Sequence, residues 1–135
     1  MNKLFGETAN LDEVADKISS AIAETTNTEI RQLLEELRKN IREMQVSKLE
    51  LALLKEEYQV GDVTPDTYYD RRKKLTRSYY RARDRIQDQI VPTLIRNIKD
   101  EKVAGRLSHV WKSIKSEINL ATAIINLISA LLKFL

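Results

Sequence analysis

The stretch YQVGDVTPD, Tyr58 to Asp66, separates two runs with the same apolar rhythm. Upstream, Ile30, Leu34, Leu37, Ile41, Met44, Lys48, Leu51, Lys55 and Tyr58 follow steps of four and three; downstream, Tyr68, Arg72, Leu75, Tyr79, Ala82, Ile86 and Ile90 do the same. Such steps gather side chains on one face of an α-helix and have the a/d spacing of a coiled coil. If the chain folds back at Gly61, opposing residues have numbers adding to about 126 or 127. Tyr58 then meets Tyr68, Leu51 meets Leu75, Met44 meets Ala82, Ile41 meets Ile86 and Leu37 meets Ile90. The spacing therefore predicts a long antiparallel hairpin of two helices, about 27–58 and 65–90. One layer breaks the apolar rule, since Lys55 falls opposite Arg72. Either these long side chains snorkel to water, or neighbours such as Glu56 and Asp70 neutralise them, or an acidic group of a partner docks there.

With 3 glycines and 2 prolines in 135 residues, and no strand-like alternation, little interrupts helix formation. Asn10 with Glu13 is read as the start of a short first helix carrying Leu11, Val14, Ala15, Ile18 and Ile22. Thr26 with Glu29 forms a capping box for the second helix, and Thr64 before Pro65 is a favoured start for the third. Val91-Pro92 should end or kink that helix, because a residue preceding proline avoids the helical region. From Thr93 to Leu135 the pattern is helical again, with Gly105 as the expected interruption. The reading is all-α: one domain over 1–135, built from a short N-terminal helix (1–25), the hairpin (27–90) and a C-terminal segment (92–135). A four- or five-helix bundle follows, and the length suffices for a core without disulfides or metals.

The chain is only mildly basic, with a formal net charge of +3, but the charge is concentrated. Residues 71–85 carry eight cations and one carboxylate, which leaves the remainder acidic. Lys73, Lys74, Arg77, Arg81 and Arg85 fall on the side of the third helix away from the seam, with Tyr80 exposed among them. They form either a solvated face, blunted by pairs such as Asp70 with Lys74, or a contact for nucleic acid or another anion.

The C-terminus is apolar around most of a helix. Leu107, Trp111, Ile114, Ile118, Ala121, Ile125, Ile128, Leu132 and Leu135 continue the 4,3 steps, and Leu120, Ile124, Leu127, Leu131 and Phe134 add a second row. Such a helix is central in a bundle, buried between subunits or in contact with lipid. The uncharged span from Ile118 to Leu132 has 15 residues, short of the ~20 that cross a bilayer, so lipid contact would be interfacial. Val46, Leu49, Leu53 and Leu54 offer the C-terminal helix a docking surface outside the hairpin seam. The short first helix cannot cover the rest, so Ile118, Ala121, Ile124, Ile125, Ile128, Leu131, Leu132 and Leu135 are expected to mediate self-association, as a homodimer in the simplest case.

Catalytic chemistry has little to build on. No cysteine is present, and the single histidine, His109, lacks the spacing of a metal ligand. Glu35-Glu36 and Glu56-Glu57 are adjacent on their helix, which points them ~100° apart, and Gly6, Gly61 and Gly105 make no phosphate loop. No cofactor is expected. The N-terminus lacks the apolar run of a signal peptide, which suggests the cytoplasm, or the virion interior if the protein is viral. The sequence thus reads as a non-enzymatic scaffold, adaptor or assembly subunit that binds protein, with a nucleic-acid-binding or packaging role second and membrane contact third.

Overall fold

Every helix boundary is a place where some other group replaces the missing helical hydrogen bonds. The computed structural model describes residues 2–114 and 116–134, of which 2–10 by backbone alone. Its elements are α1 (Asn2–Glu24), α2 (Thr28–Gln59), α3 (Pro65–Arg85), a π-helical turn (Ile86–Ile90), α4 (Val91–Arg96), α5 (Glu101–Lys112) and α6 (Glu117–Phe134). The protein is all-α, with the expected antiparallel hairpin formed by α2 and by α3 with its continuation.

The capping details differ from expectation in three places. Asn10 lies inside α1, which already begins at Asn2, because the preceding segment holds one glycine and no proline. Asn27, not Thr26, caps α2: its Oδ1 accepts from the Ile30 N–H at 3.0 Å, and asparagine is at least as good a cap as threonine. The α1–α2 turn is closed by Arg31, whose guanidinium donates to the Thr25 carbonyl at 2.7 Å. Gly105 interrupts nothing and sits within α5. The breaks come instead after α4 and α5. Asp100 Oδ1 accepts from Lys102 and Val103 N–H at 3.0 and 3.2 Å to start α5, and Ser116 Oγ accepts from Asn119 N–H at 3.1 Å to start α6. Short acceptors at a helix start decide the boundaries here, whereas an exposed glycine only weakens a helix by about 1 kcal/mol.

Pro92 neither ends the helical run nor stands alone. The turn before it widens to π geometry, and the Val91 N–H bonds to the Ile86 carbonyl, five residues back. The matching donor for the Gln87 carbonyl would be residue 92, which as proline has none. The Trp111 indole N–H fills that vacancy at 3.0 Å, which fastens α5 to the π turn.

The core is built where α1, α2, α4 and α6 converge. α1 lies antiparallel along α2, with Arg38 donating to Ser19 Oγ at 3.3 Å and Gln45 donating to Asp12. Leu11, Val14 and Ile18 of α1, Ile30 to Met44 of α2, Ala82 to Val91 of the second arm, and Leu120 to Leu131 of α6 form one buried cluster. α6 packs on α1, with α4 and α5 along other sides of it. This differs from the expected docking on Val46, Leu49 and Leu53, which stay 46, 61 and 49 % exposed. Leu54 is buried, yet apart from the core cluster. Beyond Met44 and Ala82 the hairpin therefore continues to its tip as a two-helix arm, over about 22 Å at ~1.5 Å per residue.

Candidate functional site: the distal hairpin

The tip is closed by local hydrogen bonds. Gly61 adopts φ +82°, the left-handed conformation that ends a helix, and it sits in a Schellman arrangement. Asp62 N–H bonds the Glu57 carbonyl at 2.8 Å, and Gly61 N–H bonds that of Tyr58 at 3.2 Å. Thr64 Oγ1 then accepts from Thr67 N–H at 3.2 Å to start α3. The first seam layer closes as expected: the rings of Tyr58 and Tyr68 stack at 4.2 Å and 13°, and Tyr69 meets Tyr68 edge-on at 5.3 Å.

On the outer side of α3, Lys73, Arg77 and Arg81 are exposed and form no ion pair with any described residue, and Arg72, at the seam, borders both this side and the inner one. With Tyr69, Thr76, Tyr80, Asp84 and Asp88 they line a shallow groove of about 870 Å³. Two of the expected basic residues are engaged elsewhere. Lys74 pairs with Asp70 at 3.5 Å, one turn away, as anticipated. Arg85 does not simply face outward: its Nη1 reaches across the hairpin to Asn40 Oδ1 at 3.1 Å and Glu43 Oε2 at 3.3 Å. The guanidinium is long enough to cross, and it satisfies a buried asparagine whose amide nitrogen donates to the Glu36 carbonyl at 2.9 Å.

On the inner side, α2 and α3 enclose a cleft of about 490 Å³ above the start of α6. Leu51, Tyr68, Thr76 and Tyr80 line it, and Glu117 enters from α6. Lys48 Nζ donates to Glu117 Oε1 at 2.8 Å and the Tyr79 hydroxyl donates to Oε2, so one carboxylate joins three helices. Burial, and next the Glu117 hydrogen bond, push the Tyr79 hydroxyl well above the ordinary tyrosine range. Lys55 and Arg72 line the same cleft farther out. Both are exposed and neither forms an ion pair with a described residue, so Glu56 and Asp70 do not neutralise them. Periodicity found this layer but not Glu117, because a helix from outside the hairpin leaves no mark in the hairpin's spacing.

The C-terminal residues fall into two sets. Ala121, Ile124, Ile128 and Leu131 are at most 2 % exposed, buried inside this chain's own core. Ile118 and Ile125 are half-buried, Leu132 is exposed, and Leu135 lies outside the described residues. α6 satisfies the length and apolarity of a membrane-crossing helix, but its row Leu120, Ile124, Leu127 and Leu131 is buried in the core against neighbouring helices. His109 is exposed near the end of α5, and among the described residues no cluster of His, Asp and Glu could hold a metal. No protein-family model, no curated protein and no solved structure matches the chain.

Proposed function

We propose that the protein is a non-enzymatic helical assembly module whose distal hairpin makes protein–protein contacts, self-association among them. The observation that carries this reading is the line Val46, Leu49, Leu53 on the outer face of α2. It is an exposed apolar line over two turns of one helix, whereas the exposed apolar residues of α5 and α6, Val110 and Leu132, are single positions. Steps of three and four are those of one side of a helix–helix seam, so a second α2 can add its own line in a two-fold pair. Four of the residues first expected at such an interface are core, so the association surface moves from α6 to the arm, with Leu132 a separate exposed spot.

Light scattering on the full chain over a concentration series tests it. The parent should exceed its 15.7 kDa monomer mass as concentration rises, and Leu49→Arg with Leu53→Arg should restore the monomer without loss of helix content. A parent that stays monomeric throughout, or a double variant that still associates, contradicts the proposed contact. A second reading, nucleic-acid binding, is favoured by Lys73, Arg77 and Arg81, which form no ion pair with a described residue, near the exposed Tyr69 and Tyr80. Absence of binding to single-stranded RNA at low salt would dispose of it.

A further inference from the structure

The inner cleft contains its own template for a ligand. Glu117 is a carboxylate presented by a helix that is not part of the hairpin, and it is held between a cation of α2, Lys48, and a polar group of α3, Tyr79. Moving outward by one heptad on each helix, ~10.5 Å at ~1.5 Å per residue, replaces Lys48 by Lys55 and Tyr79 by Arg72. Both new residues line the same cleft, with the rings of Tyr68 and Tyr80 beside them. The outer layer thus repeats the geometry and raises the positive charge, but no described carboxylate fills it. Two cations at facing seam positions repel each other, and an anion between them removes that cost.

We propose that Lys55 and Arg72 receive a carboxylate side chain from an acidic segment of a partner polypeptide, docked in the cleft in line with α6. The inference rests on reading the distal hairpin as a protein-contact arm, and it names the chemistry of a partner for its inner side. A polypeptide fits better than a nucleic acid. The cleft is partly apolar, through Leu51 and the tyrosine rings, and Glu117 at its floor disfavours a run of phosphates.

The test uses the full chain and a fluorescein-labelled helical peptide of alternating Glu, Leu and Ala, with a version carrying Gln for every Glu, followed by anisotropy at low salt. The parent should bind the Glu peptide at least tenfold more tightly than the Gln peptide. Lys55→Leu with Arg72→Leu should abolish that preference while melting no lower than the parent. Lys73→Gln with Arg77→Gln and Arg81→Gln, on the outer face, adds no repulsion and should leave the Glu-over-Gln preference in place. Should the Leu pair melt lower, Lys55→Gln with Arg72→Gln takes its place in the same comparison. Equal affinity for both peptides, or equal losses from inner and outer substitutions, overturns the proposal, as does single-stranded RNA that competes the peptide from the cleft. Light scattering on the same samples separates the two failures: a parent that self-associates but ignores the peptide keeps the assembly reading and loses only this one.

Discussion

The two halves of one hairpin carry the same 4,3 spacing and have different fates. In the proximal half Ile30, Leu34, Leu37, Ile41 and Met44 are at most 1 % exposed, as are Ala82 and Ile86 across from them. In the distal half Leu51, Tyr58, Leu75 and Tyr79 stay half-buried, and Lys55 and Arg72 are exposed. The difference lies outside the hairpin. A two-helix seam shields only a strip of each side chain, and full burial requires α1, α4 and α6 to close the open side. The arm has no such cover among the described elements beyond Glu117, so its seam positions tolerate charge and remain available.

The largest expected effect would break or sharpen that contrast directly. Ile41→Ala and Ile124→Ala should each cost about 2–5 kcal/mol in denaturant unfolding, as large-to-small changes at fully buried sites. Leu51→Ala should cost less, about 1–2 kcal/mol, because the side chain is only partly buried and the space it leaves opens to the cleft. If Leu51→Ala cost as much as Ile41→Ala, the cleft would have to be covered, and the contrast would vanish.

The next test sets polar contacts in the two halves against each other. Asn40→Ala removes the buried acceptor of Arg85 and should cost about 1–3 kcal/mol, measured by the same unfolding. Arg71→Ala breaks the pair with Glu57 at 3.7 Å near the tip, where both partners are largely solvated, and should cost under about 1 kcal/mol. Trp111→Phe lies between them. Loss of the indole donor leaves the Gln87 carbonyl unsatisfied and should cost about 1 kcal/mol, with faster amide exchange confined to the π turn and α5.

The boundary between the halves should show itself in alkali. Burial and the Glu117 hydrogen bond raise the Tyr79 hydroxyl above its ordinary 10.0, so the fold favours the neutral phenol. Its stabilising contribution is complete below pH 10 and is lost as pH rises through the higher folded value. Melting curves from pH 9 to 12 should therefore fall more steeply for the parent than for Tyr79→Phe; parallel curves would mean that the phenol is not held by Glu117. Smallest of all, the triple change Lys73→Glu, Arg77→Glu, Arg81→Glu should leave stability within about 1 kcal/mol by thermal melting, as expected of solvated positions on the arm. A larger loss would show that this face packs against something.

Local chemistry alone carries much of the architecture. The scarcity of Gly and Pro makes the chain helical, Thr64-Pro65 and Gly61 place the hairpin turn, and the 4,3 steps give the pairing that brings Tyr58 onto Tyr68, whereas the reach of Arg85 across to Asn40 is not in those steps. The former are legible because turn, cap and periodicity act within a few residues or between neighbouring helices. The cap at Asn27 rather than Thr26, and the breaks at Asp100 and Ser116, were present as short acceptors but competed with neighbours that read equally well. Other features were decided only by packing. Apolar rows on α6 look the same whether they meet α1, a second subunit or lipid, and only the assembled bundle buries the row Leu120, Ile124, Leu127 and Leu131 against neighbouring helices. The candidate site divides likewise. Lys55 opposite Arg72 is visible in the register, whereas the Glu117 contact that gives the layer its meaning joins residues 69 apart, a closeness that only the tertiary fold creates.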